Sequence, residues 1–529
     1  MKQLLMHVFN KSKQYVNRVF YTCTSDTKYL HYSTLFTVIS TLDRFIESKV
    51  KKGDFYVTMI SNNILFKSIV YTYCYFSGIK LLMISPKFPI SQIVNTMLSQ
   101  RGKCILFLDN DVLSKITQFE NDEGISVMAF FSTYETVLSL SEKLLDSNNY
   151  IVDSESINAV IRKGRTNRDK HLSLISVLSP GTSSEPAITN VLPNTIEESI
   201  SNLAFFMGLK PSDKVSVIAD FEFFAGIYTI LGLLTGVHFI LPETDATKTG
   251  EEIRSDLVNS VYKPNVIFIS SNNFKKIWDT ITLNVYSKKL YFIMAKYWLT
   301  KGIVNCVIRK ELRLILGHQV TKVHILNEEL GFNVLDILKK SKIMFTSSYG
   351  FLEQGNFTAF KDPEVFKDKN FIYKPGGTIL KDTEISETYL SSDDIGYVIP
   401  NISNQGDRKF LYVFGKKDRH VITTSSTNAN TPSLDLIERS LKDTWLIRDC
   451  FLQRISIPGK DDEYTYNLYI EVRDALLDLK MISWQKTQTI IKTLATDLTY
   501  NSNIKITHIG ILKFDGIRNV AEKLQYYNM

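Results

Sequence analysis

One short segment has the composition of an anion-binding loop. Residues 179–187 read SPGTSSEPA, with one glycine among small hydroxyl residues, directly after the apolar run LSLISVLS. Backbone N–H groups and hydroxyls in such a loop can surround a phosphate. We expect the segment to lie between a strand and a helix. An ordinary polar turn has the same composition, so the segment by itself leaves both interpretations open.

Further segments combine charged or aromatic residues with turns. Taken singly, each is a common strand-end loop or charged turn, so their meaning depends on their order along the chain. They are YGFLE at 349–353, SDDIG at 392–396, GKKD at 415–418 and DGIRNVAEKL at 515–524.

The elements that would position these segments alternate between short apolar strands and helices. FYVTMI (55–60) is typical of a buried strand, and the helix predicted over Leu65–Phe76 ends before Gly78, a common residue at helix ends. The same alternation resumes after Lys170, where we interpret LRLILG (312–317) as one of the strands. Unbroken apolar strands between helices indicate parallel α/β sheets. A more β-rich region begins at Gly376.

The composition indicates a large globular protein of several domains. The chain has 529 residues, of which 44% are hydrophobic and 12% aromatic. Its formal charge of +7 comes from charges that are dispersed rather than gathered into runs, which argues against nucleic-acid binding. The densest basic stretch, 162–170, fits a connector. The apolar patch at the N-terminus is too short and too interrupted for a signal h-region, and no stretch of about 20 apolar residues follows, so we expect no membrane span.

The cysteines predict neither a zinc site nor a disulfide framework. They lie far apart, without a CxxC pair or nearby histidines, and buried reduced thiols in a cytoplasmic protein fit best. The five are Cys23, Cys74, Cys104, Cys306 and Cys450.

Taken in order, the segments resemble the adenylate-forming superfamily of acyl-CoA synthetases, adenylation domains and luciferases. The resemblance extends over nearly the whole chain. In that family the loop of the form SGTTGxPKG holds the β- and γ-phosphates of ATP. Gly181, Thr182 and Ser183 agree with it, whereas Ser184 replaces a glycine and Ala187 replaces the lysine.

The resemblance also assigns the nucleotide and a metal ion to later segments. In YGFLE, Tyr349 and Gly350 stand at the adenine, Glu353 helps to hold Mg²⁺, and Leu352 replaces a threonine. The adenine-side glycine segment corresponds to ILNEE (325–329), which contains no glycine.

The ribose and hinge positions follow from the same comparison. Asp394 matches the aspartate that accepts both ribose hydroxyls, and Lys416 stands where an arginine contacts the ribose, although lysine lacks the planar fork. Lys417 and Asp418 match the hinge about which the C-terminal domain rotates between adenylation and thioester formation. If the other motifs are disregarded, Asp394, Lys416 and the Lys417–Asp418 pair are equally consistent with a charged hairpin turn.

The family's catalytic lysine near the C-terminus is absent here, because Gly516 is followed by Ile517. Arg518 takes that role if the loop carries one extra residue, and a surface position is the alternative. An aromatic cluster is formed by Phe221, Phe223 and Phe224. It could line a pocket for an acyl or aryl group, and an ordinary hydrophobic core is the alternative.

The resemblance implies an ATP- and Mg²⁺-dependent acid–thiol ligase, with coenzyme A or a carrier protein as acyl acceptor. Because four motif residues are replaced, two alternatives stay open. One is a non-catalytic partner or scaffold in a biosynthetic pathway, and the other retains only acyl transfer. The implied fold class is α/β, with a large multi-sheet α/β lobe at 1–416 and a small mobile α+β domain at 417–529.

Limited proteolysis tests the predicted boundary. The segment 415–433 passes from a charged turn to small polar residues, which is typical of a linker. We expect the first cuts to fall between Gly415 and Ser433, as mass spectrometry of the fragments would show. Resistance there, with early cleavage elsewhere, would argue against this boundary.

Overall fold

The chain, described here from a computed structural model, has a mixed α/β fold with parallel sheets and a smaller C-terminal sheet region, which confirms the predicted fold class. Contacts divide it into two units, Met1–Ser270 with Gly350–Thr358 and Ser271–Tyr349 with Ala359–Met529. The structure describes residues 19–23, 29–49, 55–86, 88–99, 103–108, 159–160, 175–179, 187–191, 200, 203–204, 207–219, 226–241, 250–259, 263–296, 298–326, 334, 337–338, 340–349, 359–361, 394–400, 409–416, 434–442, 446–456, 464–473, 482–502 and 505–512.

The regular elements among these residues are numbered in chain order. The strands are β1 (Val19–Cys23), β2 (Tyr29–His31), β3 (Phe55–Ile60), β4 (Leu81–Met83), β5 (Lys103–Leu108), β6 (Ile175–Ser179), β7 (Ala187–Val191), β8 (Lys214–Ile218), β9 (His238–Leu241), β10 (Val266–Ser270), β11 (Lys322–Leu326), β12 (Met344–Tyr349), β13 (Ala359–Lys361), β14 (Asp394–Pro400), β15 (Lys409–Lys416), β16 (Ile447–Ser456), β17 (Tyr464–Val472) and β18 (Ile506–Leu512). The helices are α1 (Tyr32–Lys49), α2 (Ile64–Ser77), α3 (Ile90–Ser99), α4 (Gly226–Thr235), α5 (Gly250–Asn259), α6 (Ser271–Tyr286), α7 (Lys289–Lys296), α8 (Trp298–Leu316), α9 (Leu434–Lys442) and α10 (Trp484–Ser502).

The first unit contains a five-stranded sheet and the buried helix α2. The strand order is β5-β3-β4-β6-β7, and only β7 runs antiparallel to its neighbour. All residues of α2 are buried, because it packs against α1, α4 and β3. Asn63 caps its first turn by accepting a hydrogen bond from the Phe66 N–H. The helix ends at Gly78, whose φ of 67° is left-handed, as the sequence predicts.

The other strands of the first unit neighbour each other in the order β10-β8-β9-β1-β2. Their register is fixed at the amino ends of β8 and β10. The Asn265 Nδ2 donates to Asp213 Oδ1 at 2.8 Å, and the Lys214 N–H donates to Asn265 Oδ1 at 2.7 Å. Ile218 and Ile269 are consequently partners at the carboxyl ends of these two strands.

In the second unit, β11 and β12 are parallel, and β13 runs antiparallel to β12. Arg313, in the last turn of α8, holds the turn that leads into β12. Its guanidinium donates to the carbonyl oxygens of Val320, Ser341 and Lys342 at 3.1, 3.0 and 2.9 Å. This contact fixes the starting points of both strands. The prediction of a strand at LRLILG is wrong, because residues 312–316 form the last turns of α8.

The C-terminal sheet of the second unit has the order β16-β17-β18 and its own core. Helix α9 packs on β16, where the Glu438 carboxylate accepts a hydrogen bond from the Leu452 N–H at 2.6 Å. The buried core side chains are Leu434, Ile437, Leu441, Leu446, Ile447, Cys450, Leu452, Tyr466, Leu468, Ile470, Val472, Ile482, Ile491 and Ala495.

Helix α6 contacts this C-terminal sheet through polar and apolar side chains, of which the Asp279 carboxylate makes the ion pairs. Asp279 accepts hydrogen bonds from Arg473 Nη1 and, at 3.0 Å, from Arg448 Nε. Arg448 also donates to the buried Glu471 at 2.5 Å. Tyr286, two turns further along α6, packs on the C-terminal core. A helix that the sequence assigns to the large lobe is therefore joined by ion pairs to strands assigned to the small one.

The expectation of buried thiols is met at two of the three cysteines whose state the structure describes and not at Cys306. Cys74 and Cys450 are buried and free, Cys306 is exposed and free, and burial raises the pKa of the Cys74 thiol. No helix among the described residues is long and apolar enough to cross a membrane. The predicted boundary at 416/417 stays a prediction, since residues 417–433 lie outside the described part of the chain.

Replacing Asp279 tests this ionic contact. Asp279→Ala leaves Arg473 without its carboxylate partner in a site that is only partly open to water. We expect unfolding to become easier by about 2 kcal/mol, less than for a fully buried pair. Urea unfolding followed by tryptophan fluorescence measures the change. Asp497→Ala, which removes an exposed carboxylate from α10, is the matched control. Equal stability of the two variants would show that the Asp279 contacts contribute nothing.

Candidate active site

The candidate phosphate loop joins two antiparallel strands, which corrects the expectation that a helix follows it. β6 ends at Ser179, β7 begins at Ala187, and the two residues are register partners. Ser176 donates to Asn190 Oδ1 at 2.7 Å across the same pair and so fixes the hairpin. Gly181, Thr182 and Ser183 lie outside the described residues.

The position of this hairpin in its sheet suits ligand binding. β6 is parallel to β4, with Val177 opposite Met83, so residues 180–186 begin at the carboxyl ends of the parallel strands. Ligands of open α/β sheets bind beyond that edge. Ala187 is the first residue of a strand and brings no charge to the position where the family has lysine.

The adenine-side segments also meet at one sheet edge. β11 ends at Leu326, the partner of Ser348, and β12 ends one residue later at Tyr349. Ile325 and Leu326 of the ILNEE segment are buried strand residues, and residues 327–329 lie outside the described residues. Gly350 and Glu353 follow β12 and lie outside the described residues.

A polar pair that sequence reasoning missed lies just behind this edge. His324 of β11 and Thr346 of β12 are register partners, and the His324 Nδ1 lies 2.8 Å from the Thr346 hydroxyl. Burial lowers the pKa of His324 to about 3, so its ring is neutral at physiological pH. The pair therefore holds the two strands in register without bringing a charge close to this sheet edge.

The candidate ribose residues face each other across a two-stranded ribbon. Asp394 is the first residue of β14 and Lys416 is the last residue of β15, and the two are register partners. Directly opposite residues of an antiparallel pair have Cα atoms about 4.5–5.5 Å apart. β15 also contacts β13, which pairs with the end of β12 at Tyr349. The ribose and adenine candidates thus belong to neighbouring strands of one unit.

The remaining candidates follow described strands without being described themselves. Phe221, Phe223 and Phe224 lie between β8 and α4, Lys417 and Asp418 follow β15, and Arg518 lies beyond β18. Their roles stay predictions. Among the described residues no group of three or more His, Cys, Asp or Glu side chains could hold a metal ion.

The chain resembles known proteins in structure but not detectably in sequence. No protein-family model matches the sequence, and no curated protein matches it in a sequence comparison. The anthranilate CoA ligase AuaEII, solved with anthranoyl-AMP, matches with a TM-score of 0.65 and 11% identity over 96% of this chain and 93% of that one. The chain has the fold of the adenylate-forming ligases.

Two further solved structures share this fold. The amide bond synthetase McbA from Marinactinospora thermotolerans matches with a TM-score of 0.66 and 10% identity, over 98% of this chain and 99% of that one. The o-succinylbenzoate CoA synthetase MenE from Bacillus subtilis was solved with ATP and magnesium. It matches with a TM-score of 0.61 and 12% identity, over 96% of this chain and 95% of that one. At such low identities the adenylate-forming fold is established, and the activity has to be argued from the residues.

Removing the carboxylate of Asp394 tests the ribose position. Charge-assisted hydrogen bonds are each worth roughly 1.5–3 kcal/mol, so Asp394→Ala should weaken ATP binding by at least about tenfold. Isothermal titration with ATP and Mg²⁺ measures the affinity. Asp393→Ala removes the adjacent carboxylate and serves as the matched control. An unchanged ATP affinity in Asp394→Ala would refute the assignment of the ribose to this ribbon.

Proposed function

We propose that the chain is an ATP-dependent ligase that activates a carboxylic acid as an acyl adenylate and then transfers the acyl group to a thiol. The observation that supports this best is the pairing of Asp394 with Lys416 on a ribbon next to β13, whose partner strand ends at Tyr349. The adenylate-forming fold along the whole chain gives these residues a common setting.

The proposed reaction has two steps. A carboxylate oxygen of the acid attacks the α-phosphorus of ATP, and the bond from that phosphorus to the pyrophosphate oxygen breaks. The thiolate of coenzyme A or of a carrier protein then attacks the acyl carbon, and AMP leaves with the electrons of the carbon–oxygen bond. Both steps move negative charge onto phosphate oxygens, so donors and cations in the site should govern the rate.

Several of the candidate residues would hold the nucleotide. Gly181, Thr182 and Ser183 offer backbone N–H groups and hydroxyls to the β- and γ-phosphates. Asp394 would accept the ribose hydroxyls, and Lys416 would add a single charged donor in place of an arginine fork. Bound Mg²⁺ would offset phosphate charge, with the Glu353 carboxylate as its protein ligand in this proposal.

The acyl group would lie beyond the carboxyl end of β8. Phe221, Phe223 and Phe224 follow that strand and offer aromatic surface to an apolar or aryl acid. AuaEII is an anthranilate ligase and MenE an o-succinylbenzoate ligase. Aromatic carboxylates are therefore the first acids to assay for this chain.

A non-catalytic role, or acyl transfer without ATP, is the second candidate function. The specific observation is Ala187, which is a strand residue opposite Ser179 and supplies no cation to the phosphate loop. Ser184, Leu352 and Ile517 also replace family residues that supply backbone freedom, a hydroxyl or a charge. Titration with ATP, followed by a pyrophosphate-release assay over the acid panel, separates the candidates. ATP binding with pyrophosphate release supports the ligase, and their absence supports the second candidate.

The missing lysine gives the sharpest test of the chemistry. A positioned cation at the α-phosphate contributes about 10²–10³ in rate. If Arg518 supplies it, Arg518→Ala should slow pyrophosphate release by that factor, and Ile517→Lys should change little. The measurement is the rate at saturating ATP and acid, with Lys505→Ala, near β18, as the matched control.

The opposite pattern would reassign the position. Faster release in Ile517→Lys, with Arg518→Ala neutral, would mean that the native chain has no cation there and adenylates slowly. Fast native release that neither substitution changes would contradict both assignments. Lys513 or Lys523 would then be the next candidate for the cation.

A further inference from the structure

Most of the excess positive charge of the chain lies on two consecutive helices, α7 and α8. Residues 288–313 contain a single acidic residue, Glu311, and have a net charge of +6, whereas the whole chain has +7. The remaining residues are therefore nearly balanced. The basic residues of this segment are Lys288, Lys289, Lys296, Lys301, Arg309, Lys310 and Arg313.

The same two helices expose large apolar side chains. Leu290 is 66% exposed and Ile293 is 43% exposed on α7, and Ile303 is 52% exposed on α8. Leu290 and Ile293 are three residues apart, so they lie on one face of α7. The two helices follow each other along the chain and contact each other, so these exposed groups belong to one helix pair. Single exposed apolar residues are ordinary, but three within fourteen residues of a basic segment are not.

Helix α8 separates a core face from an exposed face. Its exposed residues recur at helical spacing and include apolar, small and basic side chains. They are Ile303, Cys306, Lys310 and Leu314. The buried face consists of Val304, Ile308, Leu312 and Ile315. A Cβ added to Gly302 would have no heavy atom within 4 Å, so the surface beside Ile303 is open.

We propose that the exposed face of α7 and α8 binds an anionic lipid surface. Helices that lie in a membrane interface combine basic residues with exposed apolar side chains, and this helix pair combines the two with exposed Leu and Ile. The Lys288 ammonium lies 5.8 Å from the Tyr291 ring centroid, so the charge is held beside the apolar face. Each basic residue near an anionic membrane strengthens binding roughly fivefold.

Two features favour lipid over another polyanion. Nucleic acid would bind the lysines but would gain nothing from covering Leu290 and Ile293, whereas acyl chains would gain the burial of both. An acidic protein would need a surface complementary to the exposed apolar side chains, whereas a fluid bilayer adapts to them. This surface role goes beyond the proposed ligase activity and does not depend on it.

Vesicle flotation with the full-length chain tests the proposal. We expect binding to vesicles of phosphatidylcholine with phosphatidylglycerol, no binding to phosphatidylcholine alone, and weaker binding as salt is raised. The double substitution Leu290→Ser with Ile293→Ser leaves the charge unchanged and should weaken binding by roughly tenfold or more. Lys288→Ala with Lys310→Ala should weaken it by a similar factor.

Trp484→Ser is the matched control, because Trp484 is 48% exposed on α10 and is a larger apolar group. That variant should bind vesicles like the native chain. Circular dichroism and the thermal midpoint should be unchanged in every variant, since the replaced side chains are exposed.

Three results would overturn the proposal. The first is no binding of the native chain to anionic vesicles. The second is full binding by the Leu290→Ser, Ile293→Ser variant, which would mean that apolar contact is not used. The third is equally tight binding to polyglutamate or to a single-stranded oligonucleotide, unaffected by that variant, which would identify a general polyanion site.

Discussion

The register of the parallel strands is the constraint on which the candidate site depends. Every predicted nucleotide residue lies at the end of a strand or a few residues beyond it, so an error of one residue in pairing would move it by about 3.3 Å and turn it to the other face. The chain fixes the register by polar contacts. Asp213 and Asn265 join β8 and β10, and His324 and Thr346 join β11 and β12. Because the first pair lies at the amino ends of its strands and the second lies two to three residues before the carboxyl ends, the carboxyl ends remain available for binding.

The sequence was sufficient where one local signal decided the structure. β3 was predictable because a parallel strand covered on both faces is apolar throughout, and the end of α2 because Gly78 adopts a left-handed φ. LRLILG was misread because a short apolar run fits a strand and a buried helix turn equally well. β7 was missed because Pro186, Asn190 and Pro193 indicate a loop, while pairing with β6 decides the outcome.

The candidate site was only partly predictable for a related reason. Motif order led to Tyr349, Asp394 and Lys416, but it gave no indication of His324, which lies in an apolar strand, or of Asp279, whose partners are more than 160 positions away. The charge of α7 and α8 was also overlooked. Its basic residues are one to eight positions apart, so the sequence shows no continuous basic stretch. Their concentration becomes apparent only when the segment is seen as two consecutive helices.

The distribution of charge bears on how such a site would recognise ATP. Segment 288–313 carries +6 of the net charge of +7, and the candidate phosphate loop has Ala187 where the family has lysine. The electrostatic field of the protein would therefore attract a polyanion to α7 and α8 rather than to the loop. Nucleotide recognition in this chain would have to come from local donors, which makes the hydroxyls of Thr182 and Ser183 and the Asp394–Lys416 ribbon more important than in a family member with the full set of cations.

Asp279 adds a condition on any movement of the C-terminal sheet. Rotation about the predicted hinge at Lys417 and Asp418 would separate Asp279 on α6 from Arg448 and Arg473, while Arg448 and Glu471 would move together within the sheet. Arg473 would then need water or another carboxylate, because a partly buried guanidinium without a partner is unfavourable. A second arrangement of comparable free energy must therefore offer Arg473 a new acceptor. A bound anion, such as a phosphate of the nucleotide or of coenzyme A, has the charge to fill that role, which would make the position of the sheet depend on the ligand that is bound.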